Sequence, residues 1–325
     1  MNDLILSFTS QLNDAMEIGQ KAKLIQPTKT IQNVVVCGLG GSGIGGNLVA
    51  ELVADKMHYP MTVVKDYHLP FFVNKHTLLI ICSYSGNTEE TIHALKEGID
   101  RNAKIVCIAS GGSLEHLAET AGLDYIKIPS GMPPRAALAF SFVQQLYILS
   151  RFKLIDEGWI LGLESAIELI DHQEKKIQKF AQRIAKKIWN KTPVIYAPAG
   201  TEAVAVRWRQ QINENSKMLC WHHVIPEMNH NELVGWRNKG KYAVIMLRNE
   251  TDYERTKHRF EIAKGIIGNY TKTIIEVESH GENAIARSLY LIHLGDWVSF
   301  FTAEKRGVDA VEVKVIDYLK AELAK

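Results

Sequence analysis

The 325-residue chain sets 38 Lys and Arg against 36 Asp and Glu, for a net charge of +2. That balance leaves no broad basic surface and excludes a general nucleic-acid or membrane-surface binder. No apolar run approaches the roughly 20 residues of a membrane span, and Met1-Asn2-Asp3 opens an amphipathic segment rather than a basic export leader.

The length suffices for two domains of ordinary size. Leu4, Phe8, Leu12, Met16 and Ile18 follow helical spacing, which predicts one amphipathic helix over Leu4 to Ala22. After Pro27 comes the strand Val34-Val35-Val36-Cys37, a glycine run from Gly38 to Gly46, and a helix after Gly43 carrying Leu48, Val49, Leu52 and Val53. Val63-Val64 and Leu78 to Cys82 are further strands, the second apolar enough to be buried on both faces. Ser83 to Thr91 leads into a helix through Ile92, Leu95 and Ile99, and Lys104 to Ile108 and Tyr125 to Ile128 complete the strands of this half. The loop Pro129 to Arg135 closes it, and helices over Ala137 to Arg151 and Leu161 to Lys191 follow. Lys175, Lys176, Lys179, Arg183, Lys186 and Lys187 read as the solvated face of the second helix. A domain boundary is expected near Gly158, giving domains 1–157 and 158–325.

The second half repeats the scheme without the glycine loop. Strands are expected at Pro193 to Ala197, near Val224, at Tyr242 to Leu247 and at Lys272 to Val277. Helices are expected over Ala203 to Leu219, Tyr253 to Ile267, Ala284 to Lys305 and, after Gly307, Ile316 to Lys325, with a polar turn around Asn229. Strands alternating with helices make the fold class α/β, with two doubly wound parallel sheets. Cys37, Cys82 and Cys107 fall in apolar strands. Together with Cys220 they read as buried thiols of a reducing compartment, so the expected location is cytoplasmic.

Two stretches carry the chemistry. Gly38-Leu39-Gly40-Gly41-Ser42-Gly43 stands between a strand and a helix, where open amides and the positive end of a helix suit an anion. It also matches the G-x-G-x-x-G dinucleotide fingerprint, and Asp66 lies near the position of the ribose-binding acid. Ser83, Ser85 and Thr88 bunch at the next buried strand's end, where Thr88 or Asn87 would cap the following helix and Glu89 and Glu90 suit its start. Short hydroxyls beside glycine amides make a cage for a compact phosphate rather than an extended dinucleotide.

Gly40-Gly41-Ser42 followed by Ser83-Tyr84-Ser85-Gly86-Asn87-Thr88 resembles the sugar isomerase (SIS) domain, a flavodoxin-like fold. Pro133-Pro134-Arg135, Asn213 to Lys217 and Glu227 to Glu232 extend the resemblance to the bifunctional phosphoglucose/phosphomannose isomerase family over nearly the whole chain. It implies a cofactor-free and metal-independent aldose–ketose isomerase of hexose 6-phosphates, a homodimer with sites at the interface.

The resemblance also assigns roles. Gly40, Gly41, Ser42, Ser83, Ser85 and Thr88 would bind the phosphate. Arg135, presented by a loop that two prolines stiffen, would stabilise an enediolate, although sequence alone reads it equally as a surface ion pair. Glu214, flanked by Asn213 and Asn215, would be the general base, and His230 would open the sugar ring, a task suited to the ordinary pKa of histidine. Either Glu227 or Glu232 would orient it. Lys320, near the start of the last helix, or in its place Lys314, would assist, and Val313, seven residues before Lys320, offers the substrate no hydroxyl or amide. His222, His223, Glu227, His230 and Glu232 fit no zinc spacing and contain no H-E-x-x-H. The rival reading is a sugar-phosphate-sensing regulator without catalysis. The stretch before the first strand is too short for a helix-turn-helix, and no amidotransferase domain precedes the loops, as a hexosamine-6-phosphate synthase would require.

Overall fold

The apolar runs through Val34 and Leu78 become the middle of a parallel sheet. In the computed structural model, which describes residues 1–323, the first sheet comprises β1 (Asn33–Cys37), β2 (Met61–Val64), β3 (Thr77–Cys82), β4 (Lys104–Ala109) and β5 (Asp124–Lys127). All pair in parallel, in the order β2-β1-β3-β4-β5. Val34 to Val36 and Leu78 to Ile81 are completely buried, because helices cover both faces of a parallel sheet. Alternate residues Val35, Cys37, Leu79, Ile81, Ile105 and Cys107 share one core with Ala94 and Leu95 of α4 (Glu89–Asp100) and with Leu114 and Ala118 of α5 (Gly112–Thr120). On the opposite face, Gly46 of α3 (Gly40–Val53) lies so close to Val36 that a Cβ there would stand 2.9 Å from Val36 Cγ1.

Several boundaries differ from the expectation. The first helix is two, α1 (Asn2–Leu6) and α2 (Phe8–Lys21), separated at Ser7, whose ψ of 8° interrupts the helix and whose hydroxyl accepts from Gln11 Nε2. α5 has no counterpart in the sequence reading, because few apolar residues mark it and Gly111 and Gly112 precede its body at positive φ. α6 (Leu138–Arg151) and α7 (Trp159–Ile188) lie where expected. On α7, Lys175, Lys176, Lys179, Arg183, Lys186 and Lys187 are all exposed, while Ile177, Ala181, Ile184 and Ile188 are buried.

The chain divides into two compact units, Leu6–Ile167 and, from Glu168 onward, a second that also takes in Met1–Ile5. The division falls inside α7. The second unit holds β6 (Thr192–Pro198), β7 (Trp221–Ile225), β8 (Tyr242–Arg248) and β9 (Ile274–Glu278), parallel in the order β7-β6-β8-β9. This repeats the path of β1 to β4, without a fifth strand among the described residues. Its helices are α8 (Glu202–Ser216), α9 (Glu254–Ile267), α10 (Ala284–Arg306) and α11 (Lys314–Leu323). Both sheets are therefore the doubly wound parallel type expected. No helix among the described residues is long and apolar enough to cross a membrane. All four cysteines are unpaired and buried, and burial pushes the Cys37, Cys107 and Cys220 thiols up to about 12.

Buried polar contacts lock α8 to α10. Arg207 makes a two-pronged ion pair with Asp296 (Nε–Oδ1 3.1 Å, Nη2–Oδ2 2.8 Å), with side chains 2% and 9% exposed. Trp208 Nε1 donates to Leu291 O at 2.8 Å, and its ring fills the space over Gly295. Removing one partner leaves an uncompensated buried charge. Asp296→Ala should therefore lower unfolding free energy by about 3–5 kcal/mol in urea titration, and an unchanged midpoint would show that the pair contributes nothing.

Candidate active site

Because β1 is followed by α3 toward β2, and β3 by α4 toward β4, the two connections part between β1 and β3. In an open parallel sheet such a switch point leaves a crevice at the carboxyl ends of the strands. The start of α3 and the start of α4 border it. α3 begins at Gly40 rather than after Gly43, with Leu39 as N-cap, so Gly40, Gly41 and Ser42 form its first turn. Ser42 N and Gly43 N both bond back to Leu39 O (3.0 and 3.1 Å), which leaves the Gly40 and Gly41 amides at the open end of the helix. Gly41 is required by close approach: a Cβ there would stand 2.6 Å from Pro134 O and 3.0 Å from Arg135 N. The glycine loop thus lies backbone to backbone against the loop that carries Arg135.

The hydroxyls divide into braces and open groups. Ser42, 9% exposed, accepts from Tyr84 N at 3.0 Å and ties the two loops together. Ser83, 1% exposed, donates to Thr88 Oγ1 at 3.0 Å. Its hydrogen is spent there, so Ser83 supports Thr88, whose own hydrogen is left for an acceptor. Thr88 occupies the N-cap of α4, but its side chain makes no capping bond. Asn87 caps a different helix, accepting from Ser113 N (2.9 Å) and Ser113 Oγ (3.0 Å) at the start of α5. Ser85 is exposed and accepts from Asn87 N at 3.3 Å. Two helix starts, open amides and the Ser85 and Thr88 hydroxyls can hold a compact anion. The dinucleotide fold has another strand order, 3-2-1-4-5-6, and Asp66 turns its carboxylate onto Tyr67 N at 2.7 Å.

Sequence reasoning passed over Tyr84. Its amide donates to Ser42, its carbonyl accepts from Ser110 N and Oγ, and its phenol accepts from Met132 N at 2.9 Å. One residue, through its backbone and its phenol, therefore links the glycine loop, the exit of β4 and the loop before Arg135. Burial raises its pKa. The signal was a lone aromatic inside a polar, hydroxyl-rich stretch. Arg135 lies in a 3₁₀ turn, Pro134–Ala136, and is 4% exposed, so the surface ion-pair reading fails.

In the second unit, Glu214 stands half-buried in the last turn of α8. The next two residues fasten that turn to α10: Asn215 Nδ2 donates to Ser299 Oγ (2.9 Å) and Ser216 Oγ to Ser299 O (2.7 Å). Lys217 then takes left-handed φ (54°) and donates its ammonium to Glu214 O at 2.5 Å. His230 ends the 3₁₀ turn Glu227–His230 and is exposed. The acids on either side of it face elsewhere. Glu227 Oε1 accepts from Asn231 Nδ2 (2.7 Å), and Glu232 Oε1 accepts from Tyr196 Oη (2.5 Å) and Trp221 Nε1 (3.2 Å). Nor do the neighbouring histidines gather toward His230. His222 Nε2 lies 3.5 Å from Glu202 Oε1, and His223 Nδ1 accepts from Val224 N.

Lys320 is placed differently from the expectation. Glu312 Oε1 accepts from Lys314 N, so α11 starts at Lys314 and Lys320 falls in its last turn rather than near its start. No residue of α11 is buried.

The glycine approach yields a direct test. Gly41→Ala forces two backbones apart, and overpacking of this kind costs about 1–3 kcal/mol. The variant should melt lower and lose most of the wild type's affinity for inorganic phosphate in calorimetry. Wild-type phosphate binding by Gly41→Ala would remove the glycine loop from the anion site.

Residues 177–323 match the family model described as bacterial phospho-glucose isomerase C-terminal SIS domain. The bifunctional phosphoglucose/phosphomannose isomerase of Caldicellulosiruptor bescii is 39% identical over 335 aligned residues, covering 100% of this chain and 99% of that protein. The enzyme of the same name from Aquifex aeolicus is 39% identical over 94% of this chain and 93% of its own. Among solved structures, the C-terminal domain of glucosamine-fructose-6-phosphate aminotransferase from Francisella tularensis superposes with a TM-score of 0.77 at 13% identity, over 96% and 97% of the two chains, which shows a common fold. With its full length matched at that identity, the chain belongs to the bifunctional phosphoglucose/phosphomannose isomerase family.

Proposed function

We propose that the protein interconverts glucose 6-phosphate and fructose 6-phosphate, and mannose 6-phosphate with the same ketose, through a cis-enediol. The observation that carries this reading is the anion crevice between β1 and β3, in a chain that matches bifunctional isomerases from end to end. Residues 1–157 supply the phosphate site. The first turn of α3 and the Ser85 and Thr88 hydroxyls hold the phosphate, with Ser42 and Ser83 as braces. Arg135, a buried cation on a rigid turn, stabilises the negative charge that develops on the enediolate oxygens.

Residues 158–325 supply the proton chemistry. His230 opens the pyranose ring, and Lys320 assists. Glu214 takes the proton from C2 of the open aldose as the C1 carbonyl becomes an enediolate oxygen, the O2 hydroxyl proton passes to O1, and the same carboxyl returns its proton to C1 as C2 becomes the ketone. Glucose and mannose differ at C2 alone. Rotation about C2–C3 of the intermediate presents either face to one base, which accounts for both aldoses. The fixed setting of Glu214 supports its role, since Asn215 and Ser216 both tie that turn to Ser299 of α10. The chain acts as a homodimer, with sites drawing on both copies. Exposed Val315, Tyr318, Leu319 and Leu323 on α11 form an apolar face of the kind a second copy covers.

Purified protein should form the ketose from both aldose 6-phosphates, at rates that EDTA leaves unchanged. Glu214→Gln keeps the shape and removes the basicity, so it should lower kcat by at least ~10²–10⁴-fold with KM little changed. Saturable binding without turnover would favour a sugar-phosphate sensor, whereas wild-type kcat in Glu214→Gln would move the base elsewhere.

A further inference from the structure

Three side chains of the types that ligate metals converge in the first unit, on α4 and on the segment after β2. His93 and Glu97 stand four residues apart on α4 and so project from one helix face. His68 comes from the segment after β2. One ligand atom from each of the three lies within 4.8 Å of the others. The rings of His68 and His93 meet edge to face, with centroids 5.0 Å apart, and His68 Nδ1 is 4.0 Å from Glu97 Oε1. Both histidines are exposed, so a dissolved cation can reach them.

We propose that His68, His93 and Glu97 bind one divalent transition-metal ion of the zinc class, with solvent completing the coordination.

The surroundings prepare the ligands. His93 Nδ1 lies 2.9 Å from Tyr67 O. A carbonyl only accepts, so Nδ1 carries the proton and the lone pair resides on Nε2, the form that binds metal. A backbone carbonyl on the outer nitrogen is the usual device for orienting a metal-bound histidine. Glu97 is fixed in the same way: Oε2 accepts from Leu69 N at 2.6 Å and Oε1 from Arg101 Nη2 at 2.7 Å. Each oxygen keeps a second acceptor position. Arg101 also donates to Pro70 O at 2.6 Å, so the segment carrying His68 is already fastened to α4.

The His68 side chain, 74% exposed, has room to turn toward an ion held by the other two ligands at the usual bond length of about 2.0–2.2 Å. Two imidazoles and one carboxylate select zinc, cobalt, nickel or copper over magnesium and calcium, which require oxygen ligands. Hydrogen bonds within the fold account for Glu97 and His93. They do not account for His68, whose ring meets His93 edge to face and whose Nδ1 stands 4.0 Å from Glu97 Oε1.

The test titrates the untagged, metal-free full chain with Co²⁺ and Zn²⁺ by calorimetry and visible absorption. The expected result is one ion per chain, cobalt d–d bands of a low-coordinate N/O site, displacement of cobalt by zinc, and a raised melting temperature. His68→Ala and His93→Ala should each weaken binding at least ~10-fold while keeping wild-type isomerase turnover. His68→Ala also tests the site without touching the Tyr67 and Leu69 bonds. Absence of saturable binding, or binding that both variants leave intact, would overturn the site.

Discussion

The site depends on how closely two backbones can approach. Gly41 in the first turn of α3 lies against Pro134 and Arg135 with no room for a side chain, and Ser42 one residue later accepts the amide of Tyr84. These two contacts join three segments that enter from different strands: the exit of β1, the exit of β3 and the loop after β5. The open helix ends and the buried Arg135 guanidinium follow from that junction. The positive ends of two helices come to the place where the chain connections part.

The second unit carries Glu214, the proposed base, and the demands on it differ. A carboxylate that carries a proton between adjacent carbons needs a fixed position rather than a strong field. Glu214 sits at a helix terminus, where backbone fraying would ordinarily blur its position. Here the terminus is pinned by Asn215, Ser216 and Lys217, and α8 as a whole is pinned to α10 by the buried Arg207–Asp296 pair and Trp208. Polar residues that look out of place in a helix thus serve its packing.

Much of the fold could be read from the sequence, since β1 and β3 are unbroken apolar runs and the elements alternate. What escaped has physical reasons. Glycine is a poor helix former, so the run from Gly40 read as a loop although it is the first turn of α3. α5 carries too few apolar residues to show a period, and its cap comes from Asn87, on another loop. α11 starts early because Glu312 caps it. The residues of the proposed anion crevice stand out in the sequence because they are contiguous in two short stretches. The setting of Glu214 was not, because Ser299, the partner of Asn215, lies 84 residues away. For the same reason Glu232 looked like a partner for His230, whereas its hydroxyl donor is Tyr196, 36 residues distant.

The most direct measurement is a crystal structure of the protein with a hexose 6-phosphate bound. The phosphate should lie between β1 and β3, with oxygens within about 3 Å of the Gly41 amide and the Ser85 and Thr88 hydroxyls, and with Ser83 still bonded to Thr88. A phosphate bound away from the starts of α3 and α4 would contradict the account.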